Sequence, residues 1–237
     1  MKFSLCIPMY NESAIIADTA RALSAYMAEH FEDYEIIFSD DGSRDGSADI
    51  VRSLDLACVR VIGYPDNRGK GSAVREAVLA AEGEMIMFTD ADLAYGTDVI
   101  GRFAEVMEKT PEADVFVGSR NLSKDGYEGY TFWRKVASKL YIKLLCFSGG
   151  LRLTDSQCGC KAFRGEAAKR VFANCTVNGF AFDFEAIMIA TKMGMDIQEI
   201  PVKVVNHRDS KVNVFSDAFR MMRDLKKMKK RIKRLKL

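Results

Sequence analysis

Through its first half the chain alternates short β-rich runs with helical patterns, and this alternation constrains the fold more than any other feature. KFSLCI, YEIIFS, CVRVIG, MIMFT and DVFVGS read as strands, each an apolar, β-branched or aromatic run bounded by turn residues. Between the first two, Ile16, Ala20, Leu23 and Met27 recur at helical spacing and form one apolar face that can pack on a sheet. A second helix is expected after DGSRDGS, capped by Ser43 or Asp45, and a third after NRGKGS. Such an order predicts an α/β fold with a mostly parallel, doubly wound central sheet and helices on both faces. Further helices are expected around Trp133–Phe147, Glu166–Phe172 and Phe182–Met193, followed by a strand in DIQEIPVKVV. No internal repeat or linker divides residues 1–213, which read as one domain, with 214–237 as a basic tail.

The polar motifs fall at the ends of the expected strands. PMYNE follows the first, DDGS the second, DNRGKG the third and DAD the fourth. In open α/β sheets ligands bind beyond the carboxyl ends of the strands. Turn chemistry accounts for any one of these motifs, but their joint placement points to a binding crevice. A single carboxylate after MIMFT could cap the next helix. Two of them one residue apart, Asp90 and Asp92, could instead hold a divalent cation against a phosphate. DNRGKGS lacks the spacing of a nucleotide-triphosphate loop. Gly69, Lys70 and Gly71 read either as a plain helix start or as a place where backbone N–H groups approach a phosphate. PMYNES contains no glycine, which argues against a dinucleotide-binding turn.

Composition narrows the class. With 237 residues and 48% hydrophobic content the chain can bury a substantial core. The net charge of +2 conceals an asymmetry, because Lys226 to Leu237 holds eight Lys or Arg and no acid. The basic character belongs to the tail, and nucleic acid is not an expected partner of the fold. Six cysteines form no zinc-binding spacing, and Cys158-Gly-Cys160 is too short for one, so reduced thiols of a cytosolic compartment are expected. MKFSLCIPMYNE is too brief an apolar run for a signal sequence. No stretch reaches the ~18–20 apolar residues of a membrane span, and Lys143 interrupts the nearest, YIKLLCFSGG.

Taken in order, IPMYNE, DDGSRDGS, NRGKGSA, TDADL, GSR and DSQCGCKAF resemble the family 2 glycosyltransferases of GT-A fold, and more narrowly the polyprenyl-phosphate sugar synthases. The likeness runs from about Lys2 to Val214, and DSQCGCKAF with FDFEAI is most similar to the dolichyl-phosphate glucosyltransferase branch. The resemblance implies that Pro8, Tyr10, Asn11 and Glu12, with Asp40 or Asp41, receive the base and ribose of a nucleotide sugar. It implies that Asp90 and Asp92 ligate Mg²⁺ or Mn²⁺ at the donor diphosphate, with Gly69 and Lys70 nearby. Ala94 stands where mannose-type relatives often carry a glutamine, and alanine cannot ligate. Arg120, Arg134 and Ser138 match positions that hold a lipid phosphate, a task that suits the planar fork of arginine. The resemblance also implies that Asp155 lies beside the acceptor, with helix capping as the rival reading, and that Arg208 and Lys211, in NHRDSKV, neutralise the diphosphate from a loop that closes, with an exposed charged turn as the alternative.

The activity so implied is inverting transfer of a hexose, glucose from UDP-glucose first and mannose from GDP-mannose next, onto a polyprenyl phosphate. Transfer to a glycan and a non-catalytic nucleotide-binding scaffold are the rival readings. His30 and His207 read as surface or loop residues, and no Ser-His-Asp triad is expected. In the tail Phe215, Phe219, Met222, Leu225, Met228, Ile232 and Leu235 recur three and four apart, opposite lysines and arginines. This amphipathic helix is expected to pack on the domain through Phe215 and Phe219 and to lie on an anionic bilayer through its later turns. A solvated helix, a disordered tail and an RNA-binding segment are the alternatives. The expected location is cytoplasmic, peripheral to the inner face of the cell membrane, with attachment reversible or supplied by a separate membrane protein.

Overall fold

The computed structural model describes residues 2–127, 142–143, 146, 150–206, 225 and 227–235. Its elements are β1 (Phe3–Met9), α1 (Ile16–His30), β2 (Tyr34–Asp40), α2 (Ser47–Ser53), β3 (Val59–Gly63), α3 (Lys70–Ala80), β4 (Met85–Phe88) and α4 (Asp98–Lys109). They continue with β5 (Val115–Ser119), β6 (Lys161–Arg164), α5 (Gly165–Phe172), α6 (Phe182–Lys192) and β7 (Ile197–Pro201). A last helical segment covers 227–234.

Seven strands form one sheet in the order β3-β2-β1-β4-β6-β5-β7. β1 pairs parallel with β2 and β4, β2 with β3, and β5 with β7, whereas β6 runs antiparallel to both β4 and β5. The sheet is mostly parallel, as expected, but β6 was not anticipated. Its four residues begin with a lysine, so no apolar alternation marks KAFR. Burial by tertiary contact, and not local pattern, makes it a strand.

Alternation along the strands divides the core between the two faces of the sheet. Phe3, Leu5, Ile7 and Met9 of β1 face α1 and α4, together with Leu23, Met27 and Phe103. Cys6 faces the other way, where Phe88, Phe163, Phe172, Phe182 and Phe184 pack with α3, α5 and α6. The Phe172 ring meets Phe88 and Phe163 edge-on at 6.1 and 5.5 Å. This clustering fixes the direction in which β4 delivers the residues that follow it.

Neither Ser43 nor Asp45 occupies the N-cap of α2; Gly46 does, in the left-handed region at φ 82°. The tail also departs from expectation. Leu225, Met228 and Ile232 are 2%, 4% and 4% exposed and belong to the α3–α5–α6 core. The Lys192 ammonium caps the segment by donating to the carbonyls of Ile232 and Leu235 at 2.5 and 2.6 Å. Those turns therefore spend their apolar side on the domain, and a bilayer cannot receive it. Phe215, Phe219 and Met222 lie outside the described residues. Among the described residues no helix is long and apolar enough to cross a membrane.

Candidate functional site

Asp90 and Asp92 sit in a tight turn just beyond β4. Leu93 takes the left-handed region at φ 50°, and its N–H donates to the Asp90 carbonyl at 3.2 Å. From α1 the Thr19 hydroxyl donates to the carbonyl of Ala91 at 2.7 Å, pinning the residue between the two acids. The Ala94 N–H donates to Asp92 Oδ1 at 3.0 Å. Burial, reinforced by the charge of Asp90 beside it, raises the Asp92 carboxyl above its ordinary range. A cation between the two acids would relieve that repulsion. Gly159 closes the other side, since a Cβ there would run into Asp90 Oδ2. Among the described residues no third Asp, Glu, His or Cys completes a protein-only metal cage. Two hard oxygen donors and open remaining positions fit Mg²⁺ or Mn²⁺ shared with a diphosphate and water.

The four strand-end motifs are tied to one another. The Asn11 N–H donates to Ser43 Oγ and the Arg44 N–H to Asn11 Oδ1, both at 2.9 Å. Ser13 N–H donates to Asp45 Oδ2 at 2.8 Å, and Glu12 N–H to Ser47 Oγ at 2.9 Å. Asn11 reaches these partners from the left-handed region, φ 52°, a conformation asparagine tolerates. Pro8 is buried in β1, whereas the Tyr10 ring is 42% exposed at its end. Glu12 lies within electrostatic reach of Asp92. The PMYNE motif thus meets the acid pair.

Asp40 and Asp41 divide their work. Asp40 accepts only long bonds from the Ser43 N–H, 3.2 and 3.3 Å. Asp41 is spent on the protein: it accepts from Tyr64 Oη, Asn67 Nδ2, Arg68 N–H and Gly69 N–H at 2.7–3.0 Å. Asp41 is thus the member of the pair that holds the turn, its lone pairs taken by the 64–69 loop, and Asp40 is the member left to meet a nucleotide. The Gly69 N–H also serves Asp41, and the Gly71 N–H donates to the Asn178 carbonyl at 2.7 Å. What the NRGKG motif offers the site is the Lys70 ammonium, which ion-pairs with Asp90 Oδ1. Burial lowers the lysine's proton affinity, but the neighbouring charges of Asp90, Asp183 and Asp92 outweigh it, and the net direction is upward.

The second predicted cluster forms around Asp155, which opens the same DSQCG stretch that contains Gly159. Arg120 binds Asp155 as a fork, Nε to Oδ2 at 2.7 Å and Nη2 to Oδ1 at 3.0 Å. Asp155 is fully buried and also accepts the Gln157 N–H at 3.0 Å. Glu199 of β7 holds this loop by accepting from the N–H groups of Thr154 and Asp155 at 2.9 and 3.1 Å. Tyr95 joins the clusters, for its hydroxyl accepts the Gly159 N–H at 3.3 Å and its ring lies in the fields of Arg120 and Asp90. Burial raises the phenol well above its ordinary value, so it stays protonated.

Sequence reasoning missed the Lys161–Asp183 pair. Lys161 is fully buried, and its ammonium donates to Asp183 Oδ2 at 3.0 Å and the Cys158 carbonyl at 2.5 Å. A lysine in KAF and an aspartate in FDFE, each charged inside an apolar run, were the available signal. Arg134, Ser138, His207, Arg208 and Lys211 lie outside the described residues. The segment leading to 207 is anchored on the acid turn: Val205 N–H donates to the Ala94 carbonyl at 2.8 Å, and Asn206 Nδ2 to that of Leu93 at 2.8 Å. His30 is on the surface, stacked on Tyr26.

A family model described as Glycosyl transferase family 2 matches residues 4–172. A protein of Dictyostelium discoideum named dolichyl-phosphate beta-glucosyltransferase is 30% identical, over 94% of this chain and 72% of its own length. A Trichomonas vaginalis protein, dolichyl-phosphate beta-glucosyltransferase ALG5C, is 33% identical over 92% of this chain and 68% of its own. The human dolichyl-phosphate beta-glucosyltransferase is 29% identical over 94% and 74%. Among solved structures, glucosyl-3-phosphoglycerate synthase from Mycobacterium tuberculosis, crystallised with Mn²⁺, UDP and glucosyl-3-phosphoglycerate, superposes with a TM-score of 0.71 at 17% identity, covering 96% of this chain and 79% of that one. Mannosyl-3-phosphoglycerate synthase from Rubrobacter xylanophilus gives 0.69 at 19% identity over 100% and 76%. The fold they share with this chain is the GT-A fold.

Proposed function

This chain belongs to glycosyl transferase family 2, and from that premise we propose that it transfers glucose from UDP-glucose to a polyprenyl phosphate of the dolichyl type with inversion. The observation that carries the reading is that two groups of charges, Asp90, Asp92 and Lys70 at the turn after β4 and the Arg120–Asp155 fork, both bear on Tyr95, whose hydroxyl accepts the Gly159 N–H. A donor diphosphate and an acceptor phosphate each need such a group of charges, side by side. The names of the 30% and 33% identical relatives support glucose and dolichyl phosphate.

Asp90 and Asp92 would hold Mg²⁺ or Mn²⁺, and the ion, when bound, supplies positive charge that stabilises the departing nucleoside diphosphate. Tyr10, Asn11, Glu12 and Asp40 shape the end of the crevice that receives the nucleoside. Arg120 offers the acceptor phosphate the Nη1 edge that Asp155 does not take. Asp155, locked by Arg120 and Gln157, orients that guanidinium and is not available as a base. None is needed. A phosphate monoester oxygen is already anionic at neutral pH, so attack on the anomeric carbon forms the new C–O bond as the bond to UDP breaks, with no proton to remove. Orientation and charge stabilisation then account for the catalysis. By the family resemblance Arg134 and Ser138 would serve the acceptor phosphate and Arg208 and Lys211 the diphosphate; all four lie outside the described residues.

The test is incubation of the purified chain with radiolabelled UDP-glucose, UDP-galactose or GDP-mannose and dolichyl or undecaprenyl phosphate. With Mn²⁺ or Mg²⁺, label from UDP-glucose is expected in the lipid phase, and EDTA abolishes it. Failure of every donor to label the lipid would overturn the reading.

A further inference from the structure

We infer that Tyr95 is a positioning residue, whose hydroxyl clamps the Cys158–Gly159 bend onto the turn after β4 and so sets the Arg120–Asp155 fork at a fixed place relative to Asp90 and Asp92. The inference rests on the reading of those two groups as the acceptor and donor sides of one transfer site. Tyr95 stands three residues after Asp92, in a turn that is itself tied down. The Ala94 N–H donates to Asp92 Oδ1 at 3.0 Å, and the Gly96 N–H to the Leu93 carbonyl at 2.8 Å. The Tyr95 ring is 9% exposed and belongs to the apolar cluster that includes Val99, Val202 and Val204. A phenylalanine would fill that space as well, so packing gives no reason for the hydroxyl.

The oxygen is engaged on the facing loop. It accepts the Gly159 N–H at 3.3 Å and hydrogen-bonds the buried Cys158 thiol. A phenol offers one donor and two acceptor positions, so both bonds form at once. The bend it grips is held from behind as well, since Lys161 donates to the Cys158 carbonyl at 2.5 Å and the Gly118 N–H to that of Cys160 at 2.9 Å. Both chains of this bend lead to the fork: Asp155 is three residues before Cys158, and Arg120 is two residues after Gly118. Tyr95 also lies within electrostatic reach of Arg120 and of Asp90. A single hydroxyl thus ties the loop that carries Asp155 to the turn that carries the acid pair. Attack on the anomeric carbon requires the acceptor oxygen close and in line, and a misplacement of about 1 Å can cost about 100-fold in rate. Loss of the tie should therefore cost turnover more than binding of the donor.

Tyr95→Phe in the full chain tests this, because it keeps the ring and removes only the oxygen. Hydrogen–deuterium exchange reads the clamp without any substrate. Amides of residues 155–160 should exchange about tenfold faster in the variant, the scale of one lost hydrogen bond, and those of β1 and β4 should not change. Steady-state kinetics with Mn²⁺, radiolabelled UDP-glucose and dolichyl phosphate reads the consequence. The kcat for transfer should fall about 10- to 100-fold, while KM for UDP-glucose and its hydrolysis without acceptor stay within about threefold of the wild type. A tyrosine that only fills the core would move transfer, KM and hydrolysis together or leave all three alone. Arg120→Lys should lower transfer too, and the double variant should lose less than the product of the single losses, since both changes act on the fork. Unchanged exchange over 155–160, undiminished transfer, an equal fall in transfer and hydrolysis, or multiplicative losses would overturn the clamp. A wild type that labels no lipid from any donor would overturn the proposed function instead, and the exchange measurement then decides the clamp by itself.

Discussion

Asp45 illustrates how one side chain binds two motifs into a site. Its carboxylate accepts the N–H groups of Ser13 and Ser47 at 2.8 and 3.1 Å, joining the loop after β1 to the start of α2. Burial raises its pKa, but the hydrogen bonds from Ser47 and Ser13 prevail and bring it down to about 2 from an ordinary 3.8. A carboxyl depressed on folding adds stability above its unfolded pKa and loses it as pH falls through the folded value. The difference in Tm between the wild type and Asp45→Asn should thus be full at pH 6 and shrink as pH falls from 3.8 toward 2. Gly159 gives a second residue-level test. Its added methyl would push Asp90 aside, so Gly159→Ala should lower metal affinity by about 10- to 100-fold in calorimetry, with a smaller effect on unfolding. The acid pair was legible in sequence because its two members are one residue apart. The pairing of Arg120 with Asp155, or of Lys161 with Asp183, joins residues far apart in the chain, and no local pattern encodes such a contact.

Among the elements, β1 to β5 and β7 are the strands that sequence reasoning located, most of them as apolar runs bounded by turn residues. β6 escaped because Lys161 is charged and its burial depends on Asp183, which arrives from α6. The terminal segment was recognisable as amphipathic, but periodicity shows that an apolar face exists and not what covers it. Here the domain covers it, and Arg231 locks the contact by donating to Glu185 Oε1 at 2.7 Å and to the Asn174 carbonyl at 2.8 Å. Glu185 is fully buried and also receives the N–H groups of Thr176 and Val177, both at 2.8 Å. Arg231→Met should cost about 3 kcal/mol, the scale for removing one member of a buried pair. By calorimetric melting that is a fall in Tm of roughly 6–12 °C for a domain of this size. An unchanged melt would show that the segment does not share the core.

Over the whole molecule, a net acidic body carries a basic terminal segment whose apolar side is buried, so Lys227, Lys230, Lys233 and Arg234 are what it presents outward. Attraction to an anionic bilayer through that surface would be electrostatic and without insertion, at about 1 kcal/mol per basic residue near the surface. Co-sedimentation with phosphatidylserine vesicles should then fall steeply between about 0.05 and 0.5 M salt. Binding that survives high salt would instead require an apolar anchor. The central claim, that Asp90 and Asp92 grip a divalent cation against a nucleoside diphosphate, is tested most directly by anomalous diffraction from crystals grown with Mn²⁺ and UDP. The account predicts a manganese peak in contact with Asp90 and Asp92, with the diphosphate beside it. A peak elsewhere, with the diphosphate bound away from both acids, would contradict it.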